Sequence, residues 1–180
     1  MYRERDEEKR QLYLIELKKY LLEDLVYIDE SGIEKSELKK YGWAPRNEIL
    51  IGERSGKFHN RTTIIGGLNK SCQSCLAPFY FEGHTDTVIF LLWLEKCLLP
   101  VLKEGQVVIM DNASFHKSEK IKEMIESVGC KLLFLPPYSP DLNPIEIYWH
   151  WLKNKVKKLN MNNDNFYENL NNAMTSKYGR

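Results

Sequence analysis

The stretch Cys130 to Lys158, CKLLFLPPYSPDLNPIEIYWHWLKNKVKK, constrains this chain more than any other. Leu132 to Leu135 is a short apolar run, and Pro136 and Pro137 end it because neither has an N–H to give to a strand ladder. The pattern predicts a buried strand and then a rigid turn. Asn143 stands where a helix cap belongs, with Pro144 as the first helical residue. At about 100° per residue, the helix that follows puts Ile147, Tyr148, Trp151, Leu152, Val156 and Leu159 on one side. Glu146, His150, Lys153 and Lys157 fall in a narrow sector opposite, so one carboxylate leads a basic stripe. Lys155 falls on the apolar side, where its stem is expected along the core edge with its ammonium in water.

A single Glu in the first turn of a helix is ordinarily a surface charge favoured by the helix dipole. Two upstream acids change that reading. LVYIDES carries an apolar run to Asp29, and VVIMDNASFHK carries another to Asp111. About four apolar residues before an acid is how a buried strand delivers a side chain to the carboxyl edge of an α/β sheet. Such an acid costs desolvation energy unless a cation is near. Three acids from two strand ends and a helix start offer hard oxygen ligands to a divalent metal. Glu30 points to the opposite face of its strand and reads as structural.

IDES around Asp29, MDNASFHK around Asp111 and PPYSPDLNPIE ending at Glu146 resemble the catalytic domain of the DDE transposases, in particular the bacterial insertion-sequence branch of the mariner-like superfamily. The 34 residues between Asp111 and Glu146 match that family's spacing, and the resemblance runs from about Val26 to Lys158. It implies an α/β, ribonuclease-H-like mixed sheet with helices on both faces. It also implies metal-dependent cleavage and strand transfer of DNA by Asp29, Asp111 and Glu146 with two Mg²⁺ or Mn²⁺ ions. Asp29 would bridge the ions, and the other two acids would each hold one. Water is the nucleophile for cleavage and a freed 3′-hydroxyl for joining. His116 and Lys117 match the second motif and stand as DNA contacts. The competing reading of His116 is a helix cap or a polar pocket. Trp149 reads as a base-stacking residue or a core residue. Mutual repulsion among the acids predicts that Asp111→Asn leaves stability unchanged or raised.

Two other readings belong beside this one: a nuclease of the same fold that only hydrolyses, and a non-catalytic DNA-binding remnant of a transposon. The net charge of +1 means that DNA binding must rest on local charge. Lys39 to Lys70 gathers seven Lys and Arg, including Arg46 and Arg61, and Lys153 to Lys158 gathers four lysines. Arg46, Arg61, Lys153 and Lys157 are therefore the further candidate DNA-binding residues. The partners expected are transposon ends and target DNA, a second copy of the chain, and an upstream DNA-recognition domain. Roughly 25 residues before Asp29 are too few for a three-helix reading module.

The apolar run Val88 to Leu94 is too short to span a bilayer, and Met1 to Arg10 has no apolar signal core, so the expected place is the cytoplasm, associated with the nucleoid. Four cysteines suit a reducing compartment, and Cys72 and Cys75 lack the four ligands that a structural zinc site needs. Residues 1–24 read as a charged helix, with Leu14, Leu17, Leu21 and Leu25 at helical spacing, that is either a linker or a docked terminal helix. Residues 25–159 read as the catalytic domain. Short β-like runs at Tyr41 to Trp43, Glu48 to Glu53, Arg61 to Leu68 and Leu76 to Phe81 predict an antiparallel meander. Thr85 or Thr87 is expected to cap an apolar helix, buried all round, that Pro100 ends. Val107 to Met110, Ser118 to Val128 and Lys131 to Leu135 read as strand, helix and strand. Residues 160–180, seven of them Asn, read as a weak helix or as disordered chain.

Overall fold

A computed structural model describes residues 6–33, 45–46, 61–69, 71, 74–160 and 165–178. Its sheet has the order β3-β2-β1-β4-β5, with β1 at Leu25–Ile33, β2 at Thr62–Asn69, β3 at Cys75–Glu82, β4 at Val107–Met110 and β5 at Lys131–Phe134. The meander β1-β2-β3 is antiparallel, while β4 joins β1 in parallel and β5 joins β4 in parallel. β4 has neighbours on both edges and helices over both faces, so all four of its side chains are buried and its sequence is apolar throughout.

The alternation of side chains along β1 and β4 sorts the core into two halves. Leu25, Tyr27, Val107 and Ile109 pack with α4 (Ile145–Asn160), α5 (Phe166–Thr175) and Tyr13 of α1 (Glu7–Leu17). Val26, Ile28, Val108 and Met110 pack against α2 (Thr87–Trp93) and α3 (Glu119–Ser127). Helices therefore cover both faces, as the element pattern predicts.

Several local expectations shift. α1 ends at Leu17, so Leu25 belongs to β1 and Leu21 is exposed. Asp86, not either threonine, caps α2, accepting from the Ile89 N–H at 2.8 Å. α2 runs on into a π-helical turn at Leu94–Leu98, and Val88 and Leu92 are exposed rather than buried. Among the described residues β5 is the edge strand beside β4, and it is only half buried. The Asn-rich tail contributes α5, which seals Phe166, Leu170, Ala173 and Met174 into the core. Tyr41 to Trp43, Glu48 to Glu53 and Cys72 fall outside the described residues.

α1 is docked rather than free. Its Arg10 is 4% exposed and meets Asp141 with both terminal nitrogens, at 3.0 and 2.8 Å. Asp141 lies in the turn Pro140–Leu142, just before α4. A bidentate guanidinium–carboxylate pair of this kind fixes both distance and orientation.

Candidate active site

Asp29 lies on the α4 side of the sheet, with the odd-numbered residues Leu25 and Tyr27, while Glu30 lies on the α2 side. Asp29 is not at a strand end, since β1 continues to Ile33. It stands where the strand changes company: the pairing to β4 stops at Tyr27, whereas Asp29 still pairs with Gly66 of β2. That parting opens the edge at which Asp111, following Met110, can face it. A register shift in the β2–β3 pairing between Ile65 and Gly67 sets Gly66, the partner of Asp29, against two residues of β3, so the bulge is in β3.

Asp29, Asp111 and Glu146 line one cavity of about 600 Å³ together with Asn112, Lys117, Asn143 and the turn Pro136 to Pro140. Asn112 donates to the Leu135 carbonyl and holds that turn against the end of β4. Asn143 does not cap α4 as expected. The Glu146 and Ile147 amides bond to the backbone carbonyls of Asn143 and Pro144, while Asn143 Oδ1 is buried without a partner.

Two buried aromatic donors stand behind the aspartates. Trp149 of α4 donates its indole N–H to Asp29 Oδ2 at 3.2 Å and is 2% exposed, so it is a core residue and no base-stacking platform. Gly66 makes room for it: a Cβ there would stand 3.3 Å from the Trp149 ring and press into the Cys75 sulfur. His116, expected at a phosphate, is instead 1% exposed, and its ring nitrogens meet Asp111 Oδ1 at 2.7 Å and Glu30 Oε1 at 3.1 Å. Both of its nitrogens are engaged, so it has none to offer to DNA. Glu30, read as structural, is its second partner.

The electrostatics follow from these contacts. Burial pushes the Asp29 carboxyl up to about 8, and the charges of Glu30, Glu146 and Asp111 add to the rise. Asp111 goes the other way, because the hydrogen bond from His116 holds its carboxyl below the ordinary range. Burial draws the His116 imidazole down, but the hydrogen bonds it donates to Asp111 and Glu30, with the charges of those carboxylates, outweigh it and leave it at about 9. The expectation that Asp111→Asn is neutral or stabilising therefore does not fit Asp111, which is ion-paired. It fits Asp29.

The donor set suits Mg²⁺ or Mn²⁺: three carboxylates on one cavity, one of them raised by burial and by its acidic neighbours, beside an orphaned amide oxygen. As the side chains stand, no three His, Cys, Asp or Glu among the described residues are gathered closely enough to hold an ion. Ligation requires the carboxylates to close inward.

Of the other candidates, Lys117 is exposed on the cavity wall. Lys153 and Lys157 are half buried on α4 and do not line the cavity. Arg61 is exposed beside a smaller pocket shared with Glu30, Ser31, Thr63, His84 and Thr85, and Arg46 is exposed in a turn. Lys155 reaches Ser176 Oγ at 2.5 Å and lies 5.0 Å from the centre of the Trp151 ring, so its ammonium is docked rather than in water. Cys75 is buried, away from solvent. Among the described residues no helix is long and apolar enough to cross a membrane.

Comparison with known proteins agrees with this geometry. The Caenorhabditis elegans transposable element Tc1 transposase is 29% identical over 113 residues, 62% of this chain and 39% of the relative. The chain spans about two fifths of the length of the curated relatives it matches. Among solved structures, the catalytic domain of Mos1 mariner transposase aligns with 100% of this chain and 98% of its own at a TM-score of 0.56 and 18% identity. The mariner Mos1 paired end complex with Mg aligns over 100% and 65% at 0.64 and 19%. These likenesses establish the ribonuclease-H-like fold. The family described as DDE superfamily endonuclease matches residues 24–167, and with most of its length inside that match the chain belongs to the family.

Proposed function

We propose that this chain is the catalytic domain of a DNA transposase that cuts phosphodiester bonds and joins the freed ends to new DNA through Asp29, Asp111 and Glu146, with two Mg²⁺ or Mn²⁺ ions. The observation that carries the reading is the cavity itself, where acids from β1, the end of β4 and the first turn of α4 meet. Two divalent ions, when bound, stabilise the attacking and leaving oxygens of an in-line displacement. Asp29 feels the charge of both Glu146 and Asp111, which supports it as the shared ligand. Trp149 and His116 hold the backs of the two aspartates, and the Pro136 to Pro140 turn walls the cavity on the far side.

Lys117 on the wall, Lys153 and Lys157 on α4, and Arg61 and Arg46 are the proposed phosphate contacts; His116 is withdrawn from that set. The neighbour in a paired-end complex with Mg supports a pair of chains working on two DNA ends. An upstream recognition domain and a cytoplasmic, nucleoid-associated setting complete the proposal. With contacts mainly to phosphates, binding by this chain should be weak, non-specific and steeply salt-dependent.

The test is incubation of the chain with Mn²⁺, labelled duplex and a target plasmid. Nicked and joined products should both appear, and both should fall by about 10⁴-fold in Asp111→Asn. Nicking without joining would favour the hydrolytic nuclease. Full activity in Asp111→Asn would sink the reading.

A further inference from the structure

Asp111 lies in irregular chain just past β4, with its side chain half exposed, so nothing in the ladder fixes its carboxylate. Glu30 lies on the ladder itself, paired with Ile65 of β2. His116 joins the two. Its ring packs on Phe90 with centroids 4.6 Å apart, in the α2 half of the core. Ionised carboxylates only accept hydrogen bonds, so an imidazole held between two of them donates from both nitrogens. Asp111 Oδ1 accepts from His116 Nδ1 at 2.7 Å and from the Ala113 N–H at 2.9 Å. Among the described residues Oδ2 takes no hydrogen bond.

We infer that Glu30 and His116 are a positioning pair: they carry the fixed register of β1 across to Asp111, fill its Oδ1 and leave Oδ2 as a single-point ligand for a small octahedral cation. This rests on the reading of Asp111 as a metal ligand. Mg²⁺ and Mn²⁺ take one oxygen from a carboxylate and keep several waters, whereas Ca²⁺ accepts both oxygens of a mobile carboxylate. Partners behind a ligand of this kind typically change metal affinity by about 10- to 100-fold when removed.

The experiment is Mn²⁺ titration of the whole chain by calorimetry, with thermal unfolding of the metal-free protein measured beside it. His116→Ala should weaken Mn²⁺ binding by about 10- to 100-fold. His116→Asn, whose amide can reach Oδ1 in place of Nδ1, should recover part of that loss, and Glu30→Gln should weaken binding by a smaller factor. A purely structural role would lower the unfolding temperature in all three and leave Mn²⁺ affinity alone. Mn²⁺ binding within twofold of the unchanged chain in both His116→Asn and Glu30→Gln, with His116→Ala also within twofold or unfolded, overturns the positioning pair. Unchanged affinity in Asp111→Asn marks a different failure, that of the ligand reading itself, and the pair falls with it.

Discussion

Asp29 and Asp111 face one cavity from neighbouring strands, yet their surroundings push them in opposite directions. Asp29 sits in the middle of β1 with a neutral indole N–H behind it, and that donor does not offset burial and three nearby carboxylates. Asp111 sits past the end of β4, half exposed, with a cationic imidazole against one oxygen. One carboxyl is pushed up to about 8 and the other is held low. Without metal, the site therefore keeps a proton on Asp29 at neutral pH while Asp111 stays ionised. Under the proposed function, a cation entering the cavity would have to displace that proton, and Asp111 would be the acid already charged to attract it.

Three measurements can break or sharpen this contrast. The largest effect should be on pH dependence. Asp29 and His116 both have folded pKa values above their ordinary ones, at about 8 against 3.8 and about 9 against 6.5. Each contribution is fully present below the ordinary value and is lost as pH rises through the raised one. Metal-free protein should lose several kcal/mol between pH 5 and pH 9, at roughly 2 to 4 °C in unfolding temperature per kcal/mol for a chain of this size. Saturating Mn²⁺ should flatten the part due to Asp29. A profile that rises across this window would remove the basis of the comparison.

Next in size are two substitutions of opposite sign. At pH 8 to 9, Asp29→Asn should raise metal-free stability by about 1 kcal/mol or more, because it removes a buried charge that is opposed by its neighbours. Asp111→Asn should lower stability by about 1 kcal/mol, since it breaks a charge-assisted hydrogen bond to a buried imidazole. Thermal melts of the two variants side by side decide the matter, and shifts of the same sign would show that the aspartates share one environment. The smallest effect concerns α4. Lys153→Ala with Lys157→Ala should shallow the salt dependence of DNA binding by about two units at most. Lys155→Ala, whose ammonium is docked on Ser176 and Trp151, should leave that slope unchanged.

How much of this could be read from the sequence depends on whether the signal was local. β4 declares itself through four apolar residues, and the acid after it through the same run. The proline-bounded turn and the start of α4 are legible because Pro136, Pro137 and Pro144 restrict the backbone wherever they occur. Parity along β1 separates Asp29 from Glu30. What parity cannot supply is the partner on the other face, so Glu30 reads as structural until His116 is seen across from it, 86 residues away in the chain. Of the two readings of Trp149, base-stacking or core, the second holds, and pattern alone does not choose between them. At helical spacing it falls near the sector of Glu146, yet Gly66 has no side chain to block it, and the indole turns inward. A glycine inside the apolar strand TTIIGGLN was the available signal for a close approach there. The N-cap shifted from either threonine to Asp86 because the three lie within three residues of one another, a distance at which boundaries are not resolved by pattern.

The Arg10–Asp141 pair has a mechanical consequence. Asp141 is five residues before Glu146, in the turn from which α4 starts, and Arg10 is seated in the first turn of α1. α1 is therefore a handle on the third acid. A load that tilts or pulls this helix would pass through two short, directional bonds to the turn that precedes Glu146, whereas Asp29 is held by the pairing of β1 with β2.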